Sequence, residues 1–205
     1  MTGKNNFEVG RNKLIDTFEV KGFKKWIARE GYGAQATIYH NGKKVAFVTD
    51  AGDGGEIEVE NVTGIKFNHK NCKSDFCFDS VCSLLNTFPA FTYAERGWKQ
   101  MDSDELQKWD LETFGDVMLI IGELQKQFKK TMKKVTVVDD LNKVGIVTYN
   151  YTSDVLANSQ VLVGMIQKDS PNGKILNDLD LKEAFKYYIK YCADGVKQNG
   201  DPVIN

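Results

Sequence analysis

Few places in this chain have residue types and spacing suited to chemistry. The densest is Asp50-Ala51-Gly52-Asp53-Gly54-Gly55, with three glycines and two carboxylates in six residues. Paired carboxylates suggest calcium. Counted from Asp50, however, an EF-hand loop would need oxygen ligands where Gly52 and Gly54 stand. A phosphate loop fails as well, because neither GxxxxGK(S/T) nor GxGxxG can be written onto the stretch. The residues predict a strand-ending turn, with glycines in left-handed conformations and Asp side chains capping their own backbone. A simple connection rarely needs so many special residues. Asp50, Asp53, Gly54 and Gly55 are therefore also the candidate contact surface for a partner, since loops carry much of protein recognition. Two other uses of the turn stay open: backbone N–H groups offered to the phosphates of a nucleotide signal, and Asp50 with Asp53 holding a metal for hydrolysis.

A second set is His69, Cys72, Cys77 and Cys82, spaced like a zinc knuckle but with the histidine first instead of third. Three thiolates and one imidazole suit tetrahedral zinc. The stretch from Cys77 to Leu85 reads as one helix, on which five-residue separations do not converge two ligands. Cysteine is also a common core residue, so no metal and no cofactor is expected. A third set, Lys126, Lys129, Lys130, Lys133 and Lys134, closes a long amphipathic segment. Cations offset the dipole at a helix C-terminus, and Lys126, Lys130, Lys133 and Lys134 form a second candidate partner surface. For catalysis the sequence offers His40, His69 and carboxylate pairs such as Asp102/Asp104 and Asp139/Asp140. None belongs to a recognisable nucleophile–base pattern, and the Asp pairs sit where capping and turns need them.

The elements that must position these residues are those of an ordinary globular chain, 41% hydrophobic and 27% charged. Its 27 basic and 28 acidic residues nearly cancel. That balance argues against a dedicated nucleic-acid binder, whose affinity rests on a basic surface. It argues equally against an acidic mimic of DNA, so nucleic acid is expected to be engaged only indirectly. The opening MTGKNNFEVGRNK lacks an apolar export core, and no run is long enough for a membrane span. Reduced thiols inside a cell are the expectation.

Residues 1 to 13 are polar and predict an unstructured start. Phe18 to Ile27 reads as a strand interrupted by Gly22, and AQATIYHNGKKVAFVTD as a hairpin turning at Asn41-Gly42. EIEVE and GIKF extend the sheet. Ser74 or Asp75 would cap a helix ending before Pro89. Ser103 would begin a longer one through Leu106, Trp109, Phe114, Val117, Met118, Ile121, Leu124 and Phe128, weakened slightly by Gly115 and Gly122. A second hairpin spans KKVTVVDDLNKVGIVTYNY. Val155 to Ile166 fits either helix or buried strand, KIL a short strand, and Asn177 or Asp178 the cap of a last helix. The fold class is α+β, an N-terminal antiparallel sheet followed by helices and a further hairpin. Residues 14–90 and 103–200 form its two regions, divided in the loop from Phe88 to Ser103 or joined as one domain.

Three segments, IYHNGKKVAFVTDAGDGG, QFKKTMKKVTVV and KILNDLDLKEAFKYYIKY, resemble a widespread group of uncharacterised phage and mobile-element proteins. The group pairs an IYxNGKKVGxxxDDGxGG hairpin with a lysine-rich helix end and an ILND-(L/M)-P-(L/V)-EEA segment. The likeness covers about residues 16 to 192, with Asp180 standing where the pattern has Pro. It implies a phage or prophage origin and action in a bacterial cytoplasm, and it implies no catalytic residues. The function expected is non-enzymatic binding of a host or phage protein, such as inhibition of a CRISPR nuclease or another defence system.

Overall fold

The first helix is one that composition hides. In the computed structural model, which describes residues 5–67, 79–96, 105–139 and 145–199, α1 spans Asn6–Thr17 and corrects the expected unstructured start. Asn5 caps it by accepting the Glu8 N–H at 2.9 Å. The Glu95 carboxylate accepts the Asn6 and Thr92 N–H groups, each at 2.8 Å. Only Leu14 and Ile15 supply a buried aliphatic face, beside buried Gly10 and Arg11. That is too little apolar repetition to declare a helix from sequence.

Five antiparallel strands follow in the order β1-β2-β3-β4-β5: β1 Phe18–Ala28, β2 Gly31–His40, β3 Lys43–Asp50, β4 Glu58–Asn61 and β5 Lys66–Phe67. The predicted hairpin is present. Asn41 and Gly42 both take positive φ, 50° and 74°, as a two-residue turn of primed type requires. His40 pairs with Lys43, and the register slips by one residue beyond Tyr39. Gly22 (φ 65°) lies where the β1–β2 register shifts between Lys21 and Lys24. A bulge on an edge strand hinders pairing with other chains.

The helix α2 covers Asp79–Leu85, short α3 covers Tyr93–Arg96, and α4 covers Leu111–Thr131. The start of α4 differs from the expected Ser103, which lies outside the described residues. Asp110 is the cap, accepting the Thr113 N–H at 2.7 Å. Leu106 is 64% exposed before the helix begins. Trp109 fits the helical period but belongs to an aromatic cluster, stacked on Phe7 at 5.3 Å and near Phe91 and Phe88. Its indole N–H donates to the Pro89 carbonyl at 3.2 Å. The remaining stripe of Phe114, Val117, Met118, Ile121, Leu124 and Phe128 is buried as its spacing predicts. Gly115 and Gly122 have a use in close packing. A Cβ on Gly115 would lie 2.9 Å from Val59, and one on Gly122 2.8 Å from Phe23. Their absent side chains let α4 lie close against the sheet, on the face where Ala36, Ile38, Ala46, Val48 and Val59 are fully buried.

The chain divides into two compact units, Met1–Glu123 and Leu124–Asn205. The bridge between Phe91 and Gln107 and the aromatic cluster around Trp109 both lie within the first unit. The second unit has a sheet of order β7-β6-β8, with β6 Val135–Asp139, β7 Gly145–Tyr149 and β8 Lys174–Ile175. Val155 to Ile166 proves helical, shared between α5 Ser153–Ala157 and α6 Gln160–Asp169. Leu156, Leu162 and Ile166 pack on Val135 and Val137. The last helix, α7 Leu181–Asn199, is capped by Asp180, which accepts the Lys182 N–H at 2.9 Å. Asn177, expected as the cap, clasps the sheet instead. It accepts the Thr136 N–H at 2.8 Å and donates to the Lys134 carbonyl at 3.2 Å. Strands and helices thus form an α+β fold. Among the described residues no helix is long and apolar enough to cross a membrane.

Candidate functional site

The Asp50–Gly55 segment is a pair of Asx turns. Asp50 Oδ1 accepts the Gly52 N–H at 2.8 Å, and Asp53 Oδ1 accepts the Gly55 N–H at 3.1 Å. Gly52 and Gly54 take positive φ, 72° and 76°. Gly52 is buried, and a Cβ there would lie 2.6 Å from Ala28 Cβ and from the Gly33 nitrogen. Its carbonyl accepts the Glu30 N–H at 3.1 Å, fastening the turn to the tip of the β1–β2 hairpin. Gly52 therefore anchors the loop, and Asp53, Gly54 and Gly55 stand exposed beyond it.

That hairpin tip carries apolar side chains in water. Ile27 and Tyr32 lie opposite each other in the β1–β2 register and are 84% and 62% exposed. Lys25 places its ammonium 4.7 Å from the Tyr32 ring centre. Exposed apolar pairs beside a fixed polar loop are usual components of a recognition surface.

Behind the turn lies a recess of about 330 Å³, lined by Asp50 and Gly55, by Tyr93 and Arg96 of α3, and by Asp110, Glu112 and Asp116 around the start of α4. Arg96 pairs with Asp116, the guanidinium donating to the carboxylate. Burial raises the Asp116 carboxyl above its ordinary 3.8; Arg96 lowers it, while Asp50 and Glu112 add to the rise. Among the described lining residues there is no histidine or cysteine. Among the described residues as a whole, no group of three metal-ligating side chains converges.

The sequence candidates are distributed as follows. Asp50 is half-buried and reaches the recess, whereas Asp53 is on the exposed rim, so their carboxylates serve different surroundings. The Gly52 and Gly55 N–H groups are occupied by those two carboxylates, which also repel a phosphate. Lys126, Lys130, Lys133 and Lys134 are all exposed and belong to the second unit. Lys133 and Lys134 continue the last turn of α4 through bonds to the Lys130 and Thr131 carbonyls. His69, Cys72, Cys77, Asp102, Asp104 and Asp140 lie outside the described residues. Cys82 is buried among core side chains, and Cys192 is a half-buried thiol whose ionisation burial pushes up. Its neighbour Tyr188 is pushed up to about 12, chiefly by burial.

Arg96 and Asp116 escaped the sequence reading because nothing local marks them. They come from α3 and α4, twenty positions apart, and only the fold brings both beneath the turn. Comparison with protein-family models, with curated proteins and with solved structures gave no match for this chain.

Proposed function

We propose that this protein is a non-enzymatic accessory protein of a phage or mobile element, acting in a bacterial cytoplasm by binding a host or phage macromolecule. The class of partner that fits best is a defence protein such as a CRISPR nuclease, which the binding would inhibit. The observation that carries the reading is the preorganised rim: Asp53, Gly54 and Gly55 exposed on a turn anchored by buried Gly52, beside exposed Ile27 and Tyr32. A loop already fixed in its bound shape loses little entropy on docking. Large apolar side chains beside it supply contact area.

The test uses the full chain expressed in a bacterium whose CRISPR nuclease restricts a plated phage. The expected result is a rise in plating efficiency of tenfold or more. A variant carrying Ile27→Ser, Tyr32→Ser and Asp53→Ala should lose that rise while keeping its Tm. Native mass spectrometry of freshly purified protein should show a co-purifying host protein with the parent and not with the variant. Unchanged plating together with the absence of a captured protein would refute the reading.

A further inference from the structure

The face of the five-stranded sheet turned away from α4 has a composition that its core does not require. Register assigns its members. Ala36, Ile38, Ala46 and Val48 are fully buried on the α4 side. Gln35, Thr37 and Tyr39 of β2, and Phe47 and Thr49 of β3, therefore point the other way. On β1, Lys24 and Trp26 share that outer face through their partners Gln35 and Gly33, and Lys21 does so through Thr37. Every one of these side chains is half-buried or exposed.

Three aromatic rings stand on this face, and lysines accompany them. The Lys21 ammonium is 4.5 Å from the Tyr39 ring centre, and that of Lys44 is 5.8 Å from the Phe47 ring centre. Trp26, 36% exposed, is seated flat on Gly33, where a Cβ would meet the indole at 2.3 Å. Gly33 and Thr37 mark the levels of Trp26 and Phe47 on β2. With Tyr39 two residues further on, the three rings span about 20 Å along that strand at roughly 3.3 Å per residue. Glu58 and Glu60 of β4 oppose Thr49 and Phe47 and bound the basic area on one side. Glu19 is engaged by Lys21 at 3.0 Å.

We propose that this outer face is a platform for single-stranded nucleic acid. Bases stack on Trp26, Tyr39 and Phe47, and the backbone phosphates meet Lys21, Lys24 and Lys44. Flat aromatic faces interleaved with cations are what sequence-tolerant single-strand binding needs, and sheets of other folds bind two or three bases in this way. The near-zero net charge of the chain leaves the attraction local, with the β4 carboxylates steering a polyanion onto β1–β3. The face is opposite the one α4 covers, and the proposal stands independently of the rim described under Proposed function.

The test is fluorescence polarisation of fluorescein-labelled dT20 titrated with the full chain. Saturable binding is expected. Three phosphate contacts at a slope of about −0.7 each weaken it roughly 20-fold between 50 and 200 mM salt. Tyr39→Thr with Phe47→Thr, which keeps strand-favouring residues, should weaken binding by about tenfold or more. Lys21→Gln with Lys24→Gln and Lys44→Gln, all exposed positions, should do the same and remove most of the salt dependence. Lys126→Gln with Lys130→Gln, Lys133→Gln and Lys134→Gln should leave binding intact. No polarisation change at 100 µM protein would overturn the proposal. So would loss of binding in the Lys126 set alone, or full binding by the Tyr39/Phe47 variant. Equal competition by poly-glutamate of matched length would assign the face to acidic protein segments instead and overturn it equally.

Discussion

The two faces of the five-stranded sheet are built from alternate residues of the same strands, yet they follow different rules. Toward α4 the positions read Ala36, Ile38, Ala46, Val48 and Val59, each without exposed surface. Small and branched side chains there meet a helix that has itself given up two side chains, at Gly115 and Gly122. On the other face stand Lys24, Trp26, Thr37, Tyr39 and Phe47, half in water, with lysines lying over rings. One face is fitted so closely that volume decides everything. The other tolerates a change of volume but carries the side chains that recognition uses. Along the stretch of β2 and β3 that α4 covers, substitutions should therefore separate fold from outer-face binding according to the face that register assigns to each residue.

The largest effect belongs to the covered face. Gly115→Val and Gly122→Val should each cost about 2–3 kcal/mol, since overpacking a fitted interface forces backbone shifts. Thermal unfolding would show it. A small loss at either position would mean that α4 can stand off from the sheet, and the comparison would fail. Asp50→Ala comes next, at about 1 kcal/mol, because it removes the acceptor of the Gly52 N–H at a half-buried turn.

Asp116 is a half-buried carboxyl of α4 paired with Arg96. Burial raises its pKa above 3.8 in the fold. The fold thus favours the protonated carboxyl, a contribution present below the unfolded value and lost as pH rises through the folded one. Asp116→Asn should accordingly cost well below the ~3–5 kcal/mol of a typical broken buried pair at pH 7. Denaturant titrations from pH 7 to pH 3 should show the parent gaining on the variant as pH falls. A gain in the opposite direction would make the Arg96 attraction dominant over burial. The smallest effect is expected outside: Tyr39→Thr should change stability by about 0.5 kcal/mol or less. A loss comparable to that at Gly115 would show the outer face to be core after all.

Legibility in the sequence followed the range of the interactions. The Asn41-Gly42 hairpin was readable because its signal lies in adjacent residues whose φ values the turn dictates. The buried stripe of α4 was readable from its period, but its start was not. Trp109 satisfies the period and is held by Phe7 and Phe91, which are far away in sequence. The helix α1 escaped because its N-terminus is fixed by Glu95, about ninety residues on. At the site, the Asx turns were legible from Asp and Gly alone. The recess was not, since Asp50, Arg96 and Asp116 share no local pattern. The cap of α7 was misplaced for a similar reason: Asn177 is drawn off to Thr136 by a bond spanning 41 positions.

The order in which the chain leaves the ribosome bears on the sheet that Asn177 clasps. β6 is the central strand of its sheet, and its second neighbour β8 begins only at Lys174. Synthesis at about 5–20 residues per second leaves that flank of β6 open for some seconds after Asp139 emerges. An open flank at Val137 and Val138 is a template for any other extended chain nearby. Chains cut short before Lys174 would keep it open for good, so truncated products should precipitate where the full-length protein does not.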